Sequence, residues 1–267
     1  MSERTDYADG EFCWVDLSTT DVDGATQFYG GLLGVEVQSA PGDPEESGGY
    51  GFFTKDGKMV AGVGPTQSGE QYSAWSSYIR VADADAAAEK VKAADGSVFF
   101  GPADLPNESG RVAMLQDPAG AFIGIVQQGR HAGAEIVNEP GTWTWNNLLT
   151  RDVEGAKSFY GEVFGWDAAR GEGMPDYVWS WQAEGQRWPE GLGGLMRMGT
   201  EMPADAPDHW QVYFVVEDLD RAFERTRDGG GQVLFGPQEV PLGRIGVIFD
   251  PQQAVVSLIE ARYPEAR

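Results

Sequence analysis

The chain has 267 residues, 42 of them acidic and 19 basic, which gives a formal net charge of −23 at pH 7. Such a field repels phosphate backbones, so we expect no nucleic-acid partner. No run approaches the roughly 18 apolar residues of a membrane span, and a single cysteine, Cys13, excludes both an intrachain disulfide and a cysteine-based zinc site. The N-terminal segment is polar and lacks an apolar stretch. These features favour a cytoplasmic globular protein without a membrane partner.

The first predicted elements are a strand over residues 12–18 and a helix that begins after Asp21. An aspartate there accepts hydrogen bonds from the first free N–H groups of a helix. Gly34 suits the left-handed residue that ends such helices. Two short strands follow over 50–54 and 59–64. The apolar helix face, spaced at three and four, comprises Ala25, Phe28, Tyr29, Leu32 and Leu33.

A second half repeats this plan. It begins with a strand over 76–81 and a helix that starts at Asp83 or Asp85 and runs through Ala93. The strands predicted after it span 97–99, 111–116 and 122–127. Each half is therefore interpreted as one βαβββ unit.

The whole pattern then occurs a second time. Residues 12–35 read FCWVDLSTTDVDGATQFYGGLLGV, and residues 143–166 read WTWNNLLTRDVEGAKSFYGEVFGW. The second copy predicts strands over 177–182, 191–198, 211–216, 232–235, 244–250 and 255–260, with a helix over 219–227. An internal repeat of this length indicates two related domains, which we place at 1–128 and 142–267, with a polar linker over 129–141.

Three motifs in this order resemble those of one superfamily. Each copy has an opening strand, an aspartate-capped helix with A-x-x-F-Y-x-x-x-x-G, and a later D-P turn. The D-P turn reads Asp117-Pro118-Ala119-Gly120 in the first copy and Asp250-Pro251-Gln252-Gln253 in the second. The set resembles the vicinal-oxygen-chelate superfamily, which includes glyoxalases, bleomycin resistance proteins and extradiol dioxygenases. The resemblance implies an α+β fold of four βαβββ units, paired as two tandem glyoxalase-like domains with a ligand site in each cup-shaped sheet.

Metal-using relatives hold a divalent ion with four strand residues, and the resemblance places those positions in this sequence. In the first copy they are Trp14, Ala61–Gly62, Ser76 and Gly124; in the second they are Trp145, Gly193–Gly194, Gln211 and Ser257. Only Gln211 is a strong donor, and one amide does not make a metal site. We therefore expect no metal and no cofactor. The two histidines, His131 and His209, are interpreted as solvated loop residues.

Strand alternation predicts which side chains line each cup. We expect Asp16 to pair with Arg80 or to contact solvent or a ligand, and we expect Cys13 to point away into the core. The predicted ligand-binding residues are Trp14, Asp16, Phe52, Ser76, Tyr78 and Arg80 in the first cup, and Trp143, Trp145, Asn147, Trp179, Trp181, Gln211, Tyr213 and Ser257 in the second.

Three functions are compatible with these cups. The first is metal-free binding or sequestration of a small aromatic or hydrophobic molecule, as in bleomycin resistance proteins, where antibiotic resistance comes from binding. The second is a metal-independent glyoxalase-like or hydroxylase-like enzyme acting on a small carbonyl or aromatic substrate, with Asp16 as the candidate catalytic base. The third is an interaction module whose cups are filled by their own side chains. The sequence is compatible with a monomer and with a homodimer.

Overall fold

The computed structural model describes residues 3–40, 48–66, 72–170, 175–183, 191–200 and 202–262. The first copy forms one eight-stranded sheet in the order β2-β3-β4-β1-β5-β8-β7-β6. Its strands are β1 (Phe12–Thr19), β2 (Glu36–Ser39), β3 (Gly51–Lys55), β4 (Lys58–Pro65), β5 (Ala74–Arg80), β6 (Ser97–Asp104), β7 (Gly110–Gln116) and β8 (Phe122–Gln128). The antiparallel pairing of β1 with β5 joins the two units of this copy into one sheet.

The second copy forms a second sheet with the same order, β10-β11-β12-β9-β13-β16-β15-β14. Its strands are β9 (Trp143–Thr150), β10 (Asp167–Ala169), β11 (Val178–Gln182), β12 (Gly193–Arg197), β13 (His209–Val215), β14 (Gln232–Val240), β15 (Gly243–Phe249) and β16 (Val255–Ala261). The predicted fold class, four βαβββ units in two tandem α+β sheets, is confirmed. Units pair within a copy, which the sequence left open.

Within the described residues, four α-helices cover one face of the two sheets. They are α1 (Val22–Leu33), α2 (Ala84–Ala93), α3 (Val153–Phe164) and α4 (Leu219–Asp228). Each begins after an aspartate whose side chain accepts a backbone N–H three residues on, at Asp21, Asp83, Asp152 and Asp218. No helix in the described ranges is long and apolar enough to cross a membrane.

Two strands were not predicted. β2 and β10 each follow a helix directly, and they are only four and three residues long. They are the outermost strands at one edge of their sheets, so they are stabilised mainly by pairing with β3 and β11. Short, mostly exposed edge strands carry little alternation, which is why the sequence pattern does not show them.

The two copies are joined by a reciprocal pair of hydrogen bonds between their sequence motifs. The Tyr29 hydroxyl of α1 donates to Asp250 Oδ2 of the second copy at 3.0 Å, and the Tyr160 hydroxyl of α3 donates to Asp117 Oδ2 of the first at 3.1 Å. Each aspartate also accepts two backbone N–H groups of its own D-P turn through Oδ1. The tyrosine of the helix motif and the aspartate of the turn motif are therefore one cross-copy contact.

Aromatic packing continues this contact. The Trp75 indole N–H donates to the Tyr29 hydroxyl, and the Trp210 indole N–H donates to the Tyr160 hydroxyl. Phe28 lies against Gly231 of the second copy, where an added Cβ would be 3.1 Å from the ring. The helix-covered faces of both sheets thus form a shared core. Their opposite faces, which we call the first cup and the second cup, remain for a ligand site.

Candidate ligand-binding site in the first cup

Two rows of neighbouring residues line the centre of the first cup. One row runs across β3, β4, β1 and β5, and the next across β1, β5, β8 and β7. The side chains of residues paired across neighbouring strands point to the same face of a sheet, so each row forms a strip of the cup surface. The first row is Phe52, Gly62, Asp16 and Ser76, and the second is Trp14, Tyr78, Gly124 and Met114.

Asp16 is the centre of a hydrogen-bond network in this cup. The Tyr50 and Tyr78 hydroxyls both donate to Asp16 Oδ2, each at 3.1 Å. The Trp14 indole N–H in turn donates to the Tyr50 hydroxyl at 3.1 Å. Two rings and an indole therefore hold one carboxylate in a fixed orientation, which is a rigid arrangement for binding or for proton transfer.

The surroundings of Asp16 favour its neutral form. Burial among aromatic rings raises the pKa of Asp16 to about 6, and the hydrogen bonds from Tyr50 and Tyr78 offset part of that rise. Burial, together with the nearby Asp16 charge, also raises the pKa of both tyrosines well above the usual value. Near neutral pH the network therefore consists of a carboxylate that gains a proton easily and two hydroxyls that keep theirs.

His131 closes one side of this cup, which corrects its interpretation as a solvated loop residue. Its ring lies 4.5 Å from Trp14 in an edge-to-face arrangement and 5.8 Å from Phe52. Within the described residues the buried Nε2 atom has no hydrogen-bond partner, and burial lowers the pKa of His131. His209 is the first residue of β13 and its Nδ1 lies 2.9 Å from the Pro207 carbonyl oxygen.

The two cups differ in how far solvent reaches them. In the first, Asp16, Tyr50, Phe52, Ser76 and Tyr78 are all partly exposed, although Trp14 is only 5% exposed. In the second, Trp145 and Asn147 are partly exposed, but three other residues at the centre are almost fully covered. These are Gln211 at 5%, Tyr213 at 7% and Ser257 at 0%. The first cup is therefore the better candidate for a ligand site.

The second cup contains a neutral version of the same network. The Trp145 indole N–H donates to Asn147 Oδ1 at 2.9 Å, and Asn147 Nδ2 donates to the Tyr213 hydroxyl at 2.9 Å. Asn147 replaces Asp16, and no tyrosine corresponds to Tyr50, because Val178 stands at that place two residues before Ser180. Both the oxygen and the nitrogen of the Asn147 side-chain amide therefore have a hydrogen-bond partner within the fold.

The prediction for Trp179 and Trp181 is wrong. In β11 it is Ser180 that aligns with Gly194 and Asn147 on the cup face. Trp181 is fully buried on the helix side against Tyr160 and Trp166. Trp179 lies on the same side, with the charged groups of Lys157, Arg170 and Arg197 within 4.8–5.6 Å of its ring.

The prediction for Trp143 is also wrong, and the pairing of Asp16 with Arg80, one of the expected alternatives, does not form. The pairing of β9 with β13 shifts register beside Trp143, so this side chain leaves the face of Trp145, and its indole N–H donates to Asn146 on the helix side. The Arg80 guanidinium forms an ion pair with Asp9 at 3.2 Å, and the Asp16 carboxylate bonds to tyrosines instead. Cys13 is a buried free thiol, as expected.

The positions implied for a metal do not fit a divalent ion. In the first cup the aromatic ring of Tyr50 occupies the space above Gly62, and that of Tyr78 occupies the space above Gly124. The indole of Trp14 can only donate, and the hydroxyl of Ser76 is a weak ligand. In the second cup the Asn147 amide covers Gly194. Across the part of the chain that the structure describes, no three His, Cys, Asp or Glu residues converge as a metal site would require.

Two residues of the first cup were missed by the sequence reasoning. Tyr50 lies two residues before Phe52, so strand alternation could have placed it on the same face. His131 had no such signal, because it belongs to the linker segment and reaches the cup only through the tertiary fold.

A family model for the glyoxalase/bleomycin resistance protein/dioxygenase superfamily matches residues 12–125 and again residues 144–258. The chain belongs to this superfamily. Among its members, the Mycobacterium tuberculosis protein named "Putative glyoxylase CFP32" is 36% identical over 97% of this chain and 98% of its own length. The "anthracycline biosynthesis protein DnrV" of Streptomyces peucetius is 34% identical, with 98% of both chains covered.

Solved structures of the superfamily share the fold. The Mn(II)-bound glyoxalase from Novosphingobium aromaticivorans superposes with a TM-score of 0.63, at 14% identity, over 98% of this chain and 84% of that one. The 2,3-dioxygenase LapB from Pseudomonas sp. KL28 gives 0.62, also at 14% identity, over 98% and 97%. At 14% identity these two structures share the fold with this chain. They carry no argument about the residues that line its cups.

Proposed function

We propose that this protein binds a planar aromatic small molecule in its first cup without a metal ion. The observation that carries the proposal is the fixed Asp16 carboxylate, set between aromatic walls on a face that solvent reaches. Ligand sites typically combine apolar walls with a few polar groups that fix orientation. Trp14, Phe52 and His131 supply the walls here, and Asp16 with Tyr50 and Tyr78 supplies the polar groups.

The names of two relatives support an aromatic ligand. DauV of Streptomyces sp. strain C5 and DnrV of Streptomyces peucetius are both named anthracycline biosynthesis proteins, and each is 34% identical to this chain. Anthracyclines are planar polycyclic aromatic compounds. A flat ring system of this kind matches a cup whose walls are an indole, a phenyl and an imidazole ring.

The internal repeat provides matched controls for a binding test. The probe is doxorubicin, a fluorescent anthracycline, titrated in the presence of EDTA. We expect Trp14→Ala to weaken binding by about tenfold or more, since aromatic contacts contribute about 0.5–1.5 kcal/mol beyond the area they bury. Trp145→Ala, at the equivalent position of the second cup, should leave the affinity unchanged. Phe52→Ser, which introduces the residue found at the equivalent Ser180, is a second variant suited to the fold.

The ligand must also be recovered unchanged after incubation, as chromatography with mass detection will show. If Trp14→Ala and Phe52→Ser bind the probe as well as the parent protein does, the first cup is not the site. If no planar aromatic compound in a wider panel binds, the proposed function fails.

A second candidate function is a metal-independent enzyme with Asp16 as general base. Two groups of the first cup favour it: Asp16 has a pKa raised to about 6, and His131 has a lowered pKa and an unpaired Nε2 within the described part of the chain. Acid–base catalysis works best with groups that titrate near the working pH. The relative named "Putative glyoxylase CFP32" favours a small carbonyl substrate.

Turnover separates the two functions. Methylglyoxal, with and without a thiol, would be followed by NMR in D₂O containing EDTA, where proton removal next to the carbonyl introduces deuterium. An enzyme of this kind loses the exchange in Asp16→Asn and keeps it in Asp228→Asn, which changes the net charge equally at an exposed site. The absence of exchange above the protein-free rate leaves binding as the function.

A further inference from the structure

Among the residues that the structure describes, no positively charged side chain pairs with the Asp16 carboxylate. In the described part of the chain its hydrogen-bond partners are the two neutral hydroxyls of Tyr50 and Tyr78, and it forms no ion pair. Arg80, the basic residue on the neighbouring strand β5, is held by Asp9. A carboxylate in apolar surroundings is unfavourable unless an opposite charge compensates it. The first cup therefore contains a negative charge that the described part of the fold does not neutralise.

One oxygen of this carboxylate is available to a ligand. Both tyrosine hydroxyls donate to Oδ2, and none of the residues that the structure describes donates to Oδ1. A protonated amine could donate to Oδ1 without displacing either tyrosine. Hydrogen bonds between charged partners are shorter and stronger than neutral ones.

The walls around Asp16 suit a cation for a second reason. The Phe52 ring lies 6.0 Å from Trp14 and 5.7 Å from Tyr50, both in edge-to-face arrangements. Aromatic faces carry negative charge density, so several rings around one point attract an ammonium group. A carboxylate combined with such rings is an arrangement that recognises organic cations.

We infer that the ligand of the first cup carries a protonated amine close to its aromatic plane, with the ammonium group bound between Asp16 and the rings of Trp14, Tyr50 and Phe52. This inference rests on the proposed function, because it specifies the ligand class of the same site. At the equivalent position of the second cup the charge is missing: Asn147 is neutral, and its amide already bonds to Trp145 and Tyr213. The preference for a cation is thus restricted to one of the two cups.

A pair of probes that differ in charge but hardly in shape tests the inference. Naphthalen-2-ylmethylamine is an ammonium ion at pH 7.5, and naphthalen-2-ylmethanol is its neutral analogue. Both are titrated in 0.5 M NaCl with EDTA, since this salt concentration screens the general attraction of a chain of charge −23 for cations. The indole N–H signal of Trp14, assigned with a Trp14→Phe variant, reports binding in the first cup by NMR.

We expect the ammonium probe to bind at least about tenfold more tightly than the alcohol. Asp16→Asn should remove this difference by weakening the binding of the ammonium probe, and the charge-matched control Asp228→Asn should preserve the difference. Asparagine already occupies the equivalent position 147, so the variant introduces a residue that this sheet position accepts.

The outcomes separate this inference from the proposed function. Equal affinity of the two probes at the Trp14 signal, or a charge preference that survives Asp16→Asn, overturns the inference and leaves aromatic binding in place. If neither probe shifts the Trp14 signal, the proposed function and the inference both fail.

Discussion

Replacing Asp16 with asparagine should make the protein more stable at neutral pH, by an amount that depends on pH. The pKa of Asp16 is raised from 3.8 to about 6 in the folded protein, so the folded state holds this proton over a range where the unfolded chain has lost it. Stability therefore decreases as the pH rises from about 4 to about 6. Asparagine has no proton to lose, and it accepts the same tyrosine hydroxyls through its amide oxygen.

The size of the effect follows from the shift. One pKa unit corresponds to about 1.4 kcal/mol, so a shift of about two units gives at most about 3 kcal/mol. Because Asp16 is partly exposed, solvent screens some of this, and about 1–3 kcal/mol is the expected range. The free energy of unfolding of the variant minus that of the parent should rise by this amount between pH 4 and pH 7, and then stay level.

Urea unfolding at five pH values from 4 to 8 measures this difference. The other carboxyl groups with raised pKa values, Asp117 and Asp250, are present in both proteins, so their contributions cancel. Asp228→Asn, an exposed substitution of the same charge, should give a difference that hardly varies with pH. A difference between Asp16→Asn and the parent that is constant, or that decreases with rising pH, would show that Asp16 is not held in a desolvated environment.

Three further substitutions test other parts of the structure. Tyr160→Phe removes a hydroxyl that bonds to Asp117 across the copies, and it should lower the free energy of unfolding by about 1–3 kcal/mol in urea, whereas the exposed Tyr72→Phe should change it by less than about 0.5 kcal/mol. Gly124→Ala places a methyl group in the Tyr78 ring, so we expect a loss of about 1–3 kcal/mol and a shifted Tyr78 signal by NMR; an unchanged signal would contradict this packing. His131→Ala should shift the Trp14 indole N–H signal by NMR, whereas His209→Ala should not; no shift would mean that His131 does not lie over the cup.

Much of the fold was predictable because local signals agree with the tertiary structure. The four α-helices of the described residues each begin at an aspartate that the sequence offers as a cap, and Gly34 and Gly165 end their helices in the left-handed conformation. The repeat predicted two equivalent sheets. The edge strands β2 and β10 were missed because their burial comes from pairing with β3 and β11, which no local pattern reports.

The candidate site was predictable only in part. Alternation placed Trp14, Asp16, Phe52 and Tyr78 on one face correctly, since in β1 the polar Asp16 and Ser18 alternate with apolar residues. It failed for Trp179 and Trp181 because β11 is buried on both faces, and a strand of that kind gives no sign of which side a tryptophan takes. His131 is far in sequence from Trp14, which it contacts, and a periodic pattern of side chains does not predict a contact of that kind.

The reciprocal Tyr29–Asp250 and Tyr160–Asp117 contacts have the form of a two-fold symmetric interface, in which each partner offers the other the same pair of groups. In a dimer of identical subunits, any substitution in one cup would necessarily appear in the other. Covalent linkage of the two halves removes that constraint. One half can then keep an acidic side chain while its twin carries the uncharged amide, so that a pseudo-symmetric scaffold has two chemically distinct chambers.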